Sequence, residues 1–144
     1  MDAHYYQINL HWETDRQGLI SSPELNQSFV VATPPPFQGG IERTWSPEHL
    51  LTASVNSCFM TTFLAIAANS KLEFSKFECE SKGKLEQVEG KYLMTEITLS
   101  PILTISKASD QERAERILMK SEAACLISNS IKSKVVLHPT VIVN

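Results

Sequence analysis

The stretch WSPEHLLTASVNSCFMTTFLAIAANSKL, Trp45 to Leu72, constrains the fold more than any other part of the chain. It opens on a helix-start signal. Ser46 suits an N-cap, Pro47 suits the first helical position, and Glu48 complements the positive end of the helix dipole. Leu51, Val55, Cys58, Thr62 and Ile66 then recur at steps of three or four, which places them on one helical face. As a core helix it packs against a sheet. Polar residues at His49, Asn56, Ser57, Thr61, Thr62 and Asn69 interrupt the apolar run, so it reads as a core helix and not a membrane span.

The remaining segments supply that sheet. HYYQINLHWET is rich in aromatic and β-branched residues and reads as a strand. DRQG is a turn by its Asp and Gly. GLISS returns as the second strand of a hairpin, and QSFVVAT is a third. PPPFQGG is a loop, because three prolines remove donors and two glycines loosen the chain. LEFSKFECESKGKLEQVEG and KYLMTEITLSPILTIS read as two strands turning near Glu89–Gly90. SDQERAERILMKSEAACLISNS is a second helix, with Ser109 and Glu112 spaced as a capping box. Its Ile117, Leu118, Ser121, Ala124 and Cys125 share a side. SKVVLHPTVIV closes the chain as a strand, and His138–Pro139 inside it points to an edge or a bulge. Hairpin-joined strands and two helices give an α+β layer fold, an antiparallel sheet packed by both helices. The 144 residues fit a single domain, 1–144.

Composition narrows the function. A net charge of −3 leaves no footprint for nucleic acid. The four histidines are scattered with no CxxC, HxxxH or HExxH, which speaks against a metal site. GxSxG, P-loop and GxGxxG patterns are absent, so serine hydrolase, nucleotide and dinucleotide readings lack support. No basic-then-apolar leader is visible, and the cysteines are three, an odd number. Both features fit a reducing cytoplasm.

The cysteines carry the chemistry that is left. Cys58 and Cys125 fall on the apolar sides of the two helices and would meet if the helices pack together. Cys79 lies in a strand pattern. By spacing alone all three read as small buried hydrophobes.

A resemblance changes that balance. WSPEHLLTASVNSCFMTTFLAIA resembles the NPE-x-L…Cys-F signature of the OsmC/Ohr family, the osmotically inducible and organic-hydroperoxide-resistance proteins. Pro47, Glu48, Leu50 and Cys58 match it, with Ser46 in the asparagine position. A second cysteine follows in EAACLISNSIKSKV, and the order of elements agrees along nearly the whole chain. After that cysteine the chain reads LIS, where a proline often follows in the family. The resemblance implies an OsmC-like fold in an intertwined homodimer, with a dithiol peroxidase site at its interface. It implies Cys58 as the attacking thiol, Cys125 as the resolving thiol, and Glu48 with an arginine as assistants. Arg16 in the first hairpin is where one branch of the family places that arginine, and Arg43 is the second choice.

The expected activity is reduction of organic hydroperoxides by a Cys58 thiolate through a Cys58–Cys125 disulfide. It needs no bound cofactor. An external dithiol, of lipoyl type by the resemblance, would regenerate the enzyme. Other thiol, disulfide or persulfide chemistry on the same fold remains an alternative, as does a noncatalytic homodimer that binds a small apolar molecule. No nucleic acid or membrane partner is expected. Glu48 and Cys58 are ten residues apart, about 15 Å along a straight helix, so the glutamate would serve a partner's thiol and not its own.

Overall fold

A computed structural model describes residues 1–144. The chain divides into two compact units, Met1–Leu50 and Leu51–Asn144.

In the first unit three strands, β1 (Asn9–Thr14), β2 (Gln17–Ser21) and β3 (Phe29–Ala32), form an antiparallel sheet in the order β1-β2-β3. The expected turn lies at Asp15–Arg16. Asp15 adopts φ 47, which its short polar side chain tolerates, and its carbonyl accepts a hydrogen bond from Trp12 Nε1 at 3.0 Å. β1 is the edge strand and is solvent-exposed along its whole length, with Leu10 68% and Trp12 71% exposed. The proline-rich segment is the expected loop, folded back on itself by Phe37 N–H to Pro34 O and Ile41 N–H to Thr33 O. Gly40 is needed there, since a Cβ would lie 2.1 Å from the Pro34 carbonyl oxygen.

The loop delivers the chain to α1 (Pro47–Asn69). Ser46 caps it as the sequence predicts: its Oγ accepts from the His49 amide at 3.2 Å, and the hydroxyl also sits 2.6 Å from His49 Nδ1.

In the second unit β4 (Lys76–Val88) and β5 (Lys91–Ile105) make a long antiparallel hairpin. Glu89 and Gly90 turn it, both with positive φ, 49 and 80, as a tight two-residue hairpin turn requires. The closing segment, expected as one strand with an edge or a bulge at His138–Pro139, is two strands, β6 (Lys134–Leu137) and β7 (Thr140–Val143), separated at that dipeptide. Both run parallel to β5, β6 beside Glu96–Leu99 and β7 beside Ile102–Ile105. The α+β class holds, and this second sheet is mixed where the hairpin pattern alone predicts an antiparallel one. α2 (Gln111–Ala123) lies between β5 and β6 in the chain. A chain that leaves β5, runs through a helix and returns to the same sheet can lie parallel to it.

Two local expectations give way. The Ser109–Glu112 capping box does not form: a 3₁₀ turn at Ala108–Asp110 leads straight into α2, and no side chain caps it. The turn's own carbonyls take the early amides, Lys107 O that of Asp110 and Ala108 O that of Gln111, which removes the need for a cap. The buried stripe of α1 is Val55, Phe59, Phe63 and Ala67, a strict i, i+4 row. Cys58, Thr62 and Ile66 flank that row and are half-buried.

The core gathers this row with Ile97, Leu99, Leu103 and Ile105 of β5 and Ala114, Ile117 and Leu118 of α2. Phe63 stacks on Phe77 with centroids 4.8 Å apart and meets Phe74 edge-on at 5.3 Å. α1 approaches β4 closely at Gly83, where a Cβ would come within 2.2 Å of Thr52 Oγ1. By length and composition alone α1 could cross a membrane, with a mean hydropathy of 1.6 in its most apolar window. Its Val55–Ala67 row instead forms the centre of this core.

Candidate active site

Cys58 sits midway along α1, on the flank of the buried row, because the step from Val55 to Cys58 is three residues and the row advances by four. That offset leaves the sulfur half-buried and reachable from solvent. Cys125 lies two residues beyond the end of α2 and is fully buried. It is held by a short helical turn: its amide donates to Glu122 O at 3.1 Å, and its carbonyl accepts from the Asn129 amide at 3.1 Å.

The fold brings these two thiols together. Both are free, and the Cys125 thiol donates a hydrogen bond to the Cys58 sulfur. The effects on the two are opposite. Burial works against ionisation of Cys58, but hydrogen bonds outweigh it: the Ile127 amide, the Cys125 thiol, the Thr62 hydroxyl and the Leu126 amide together hold the Cys58 pKa below the ordinary thiol value. The Thr62 oxygen is 4.0 Å from the sulfur. For Cys125, burial raises the pKa, and the neighbouring Cys58 raises it further against the opposing influence of Ser128. The proton shared by the pair therefore stays on Cys125, and the negative charge belongs on the accessible sulfur. Leu126 contributes an amide that a proline in its place would lack.

Cys79, on β4, is a different kind of thiol. Burial first, and the charge of Glu80, push its pKa up to about 11 against a hydrogen bond from the backbone of Ser100. Only thiolates alkylate, and each thiolate appears as pH rises through its own pKa. As pH is raised from neutral, iodoacetamide should modify Cys58 before Cys79, as read by peptide mass mapping. Reaction at Cys79 before Cys58 would contradict this ordering.

The other expected site residues belong to the first unit. Arg16, exposed in the β1–β2 turn, lies with its stem over Gly39. It lines a cavity of about 240 Å³ together with Leu10, Trp12, Val31 and Pro47. Glu48 is in the first turn of α1, half-buried. Arg43 adopts φ 58 and lines a separate open cavity with Trp45 and His49. The groups that set the ionisation of Cys58 all belong to the second unit. Sequence reasoning missed three of them, the Leu126 and Ile127 amides and Thr62. Thr62 could have been found from its i+4 spacing to Cys58. Backbone amides leave no mark in a sequence.

Comparison with known proteins places the chain in a family. The family model described as OsmC-like protein matches residues 39–139, which takes in both cysteines and the start of α1. The chain belongs to the OsmC-like protein family. Among curated proteins it is similar to the uncharacterized protein YmaD of Bacillus subtilis (strain 168), at 26% identity over 141 residues, covering 96% of this chain and 93% of that protein. An OsmC-like protein of unknown function from Vibrio cholerae shares the fold with a TM-score of 0.84 at 21% identity, over 95% of this chain and 99% of the other. An organic hydroperoxide resistance protein from Elizabethkingia anophelis matches with a TM-score of 0.76 at 21% identity, over 98% of this chain and 99% of the other. The organic hydroperoxide resistance protein OhrB of Bacillus subtilis matches at 0.67 and 18% identity, covering 96% of this chain and 98% of its own. The OsmC-like fold thus carries, in this chain, a paired-thiol centre, and its fold relatives include organic hydroperoxide resistance proteins.

Proposed function

We propose that this protein is a thiol-dependent peroxidase that reduces organic hydroperoxides. The observation that carries the reading is the asymmetric thiol pair: an accessible Cys58 with a lowered pKa, hydrogen-bonded by a buried Cys125 that keeps its proton. Peroxide reduction needs a thiolate nucleophile and a nearby second thiol. The Cys58 thiolate attacks one peroxide oxygen, the O–O bond breaks, and the alkoxide leaves as an alcohol after taking a proton. Cys58 becomes a sulfenic acid. Cys125 then attacks the sulfenic sulfur, water leaves, and a Cys58–Cys125 disulfide results. An external dithiol, of lipoyl type by family resemblance, reduces it. No bound cofactor takes part.

Glu48 and Cys58 stand on one continuous helix, with about 15 Å of axial rise between them. In a homodimer, Glu48 and Arg16 of one copy would face Cys58 of the other. The carboxylate would hold the guanidinium by paired hydrogen bonds, and the guanidinium would polarise the peroxide and lower the thiol pKa further. Exposed Tyr5, Tyr6, Ile8, Leu10 and Trp12 along β1 and its approach supply an apolar surface suited to a second copy. The same apolar character favours an alkyl hydroperoxide over hydrogen peroxide. The cytoplasm, with its reducing thiol pools, is the compartment in which such a cycle turns over.

The test is peroxide consumption with cumene hydroperoxide or hydrogen peroxide as oxidant and a lipoyl dithiol or a monothiol as reductant. The expected result is turnover with the organic peroxide and the dithiol, slowed by Arg16→Ala, in a protein that sediments as a dimer. Disulfide exchange without peroxide consumption would instead favour a thiol–disulfide role, and no turnover of either kind would favour a binding protein with inert thiols.

A further inference from the structure

Ser128 has a feature that the peroxidatic step does not use. Its Oγ is buried and completes no hydrogen bond. A buried hydroxyl without a partner is uncommon and costs stability. The helical turn that holds Cys125 explains where it points. Asn129 N–H to Cys125 O closes an i, i+4 turn, and residues three apart in such a turn lie on one face. Ser128 is three residues after Cys125, and its hydroxyl and amide both act on the Cys125 sulfur in the direction that favours a thiolate. In the reduced protein Cys125 keeps its proton and passes its hydrogen bond to Cys58, so that donor has no full charge to meet.

We propose that Ser128 is a catalytic residue of the reductive half-reaction: its hydroxyl donates to the Cys125 sulfur as that sulfur leaves the Cys58–Cys125 disulfide. The inference rests on the two-cysteine reading above and adds which sulfur leaves and what receives it. Cys125 is fully buried and Cys58 is half-exposed. An external dithiol, with one thiol ionised, can therefore reach only the Cys58 sulfur. Its thiolate attacks there and forms a mixed disulfide with Cys58. The Cys58–Cys125 bond breaks, and Cys125 departs with the electron pair as a buried thiolate. The Ser128 O–H and N–H stabilise that charge. The second thiol of the reductant then gives its proton to Cys125 and attacks the mixed disulfide at the reductant's own sulfur. The reductant leaves as a cyclic disulfide, Cys58 is released as a thiolate, and Cys125 is a thiol again. A lower pKa in the leaving thiol speeds exchange, so the donor acts on the rate.

The test begins with Cys79→Ser protein oxidised by diamide, its Cys58–Cys125 bond verified by non-reducing peptide mapping. Using diamide keeps the test independent of any peroxide activity. Reduction by dihydrolipoamide is then timed for the Ser128, Ser128→Ala and Ser128→Thr forms. Loss of a hydrogen bond to a charged sulfur should slow Ser128→Ala about tenfold or more, and Ser128→Thr should recover most of the rate. A separate readout uses protein in which Cys125 is the only cysteine, with Cys58 and Cys79 both changed to Ser. There Ser128→Ala should move the ultraviolet thiolate titration to higher pH. The proposal is overturned if Ser128→Ala is reduced at the unsubstituted rate, if the titration does not move, or if diamide forms no Cys58–Cys125 bond. If the diamide-formed bond behaves as expected but no peroxide is consumed, the peroxidase reading fails and the role of Ser128 stands.

Discussion

Cys58→Ser protein will consume no organic hydroperoxide above the uncatalysed background, and no sulfenic acid will be trapped on it. The serine hydroxyl has no accessible anion near neutral pH, so the hydrogen bonds that favour charge at position 58 have nothing to act on. Cys125→Ser separates the two halves of the cycle. Cys58 keeps most of its hydrogen bonds, from the Ile127 and Leu126 amides and from Thr62, and should still be oxidised once. With no thiol to condense with, the sulfenic acid persists, and a second peroxide carries it to sulfinic acid, which simple dithiols do not reverse. Mass mapping after one equivalent of cumene hydroperoxide should show a Cys58–Cys125 bridge in the unsubstituted protein and a Cys58 mass gain of two oxygens in Cys125→Ser after excess peroxide. Cys79→Ser should behave as the unsubstituted protein in both measurements, because its raised pKa keeps that thiol protonated. A bridge to Cys79, or overoxidised Cys58 without any bridge, would overturn the two-cysteine cycle.

Phe63→Ala will cost about 3–5 kcal/mol of stability, the range for removing a large aromatic side chain from a closed core. Phe63 is fully buried, stacked on Phe77 and edge-on to Phe74, so its removal leaves a cavity bounded by rigid rings. Such a loss is a large share of the ~5–15 kcal/mol that holds a domain of this kind together. Met119→Ala on the outer side of α2 should stay within about 0.5 kcal/mol, since Met119 is already exposed. Urea unfolding measured at equal protein concentration decides the matter, and equal losses for the two variants would contradict the assignment of the core. The same substitution bears on the site, because Phe59 and Phe63 fix the rotation of α1 and so the outward aim of Cys58.

Local signals written into single residues were legible in the sequence. The start of α1 follows from Ser46 and Pro47, and the cap hydrogen bond forms as those residues require. The hairpin turns at Asp15 and at Glu89–Gly90 follow from Asp15 and Gly90, residue types that accept positive φ. The irregularity of the last strand at His138–Pro139 was marked by a proline that cannot donate to a ladder, though the split into two strands was not. The resemblance carried by Pro47, Glu48, Leu50 and Cys58 reached the family through side-chain identities at fixed spacing, and the family match bears it out.

Long-range arrangement was settled only by the tertiary structure. The direction of β6 and β7 against β5 depends on how α2 returns the chain, which no local pattern encodes. The Ser109–Glu112 pattern gave way to a 3₁₀ turn whose backbone carbonyls accept from the Asp110 and Gln111 amides. The core stripe of α1 shifted by one residue from Cys58 to Phe59, because several apolar rows are available on so apolar a helix and the facing sheet selects one. That one-residue choice decides the chemistry: it keeps Phe59 in the core and leaves the Cys58 sulfur at its edge, among amides from Leu126 and Ile127 far away in sequence. A sequence can supply a thiol and a helix to carry it, but hydrogen-bond donors from distant backbone exist at that thiol only after the chain has folded around it.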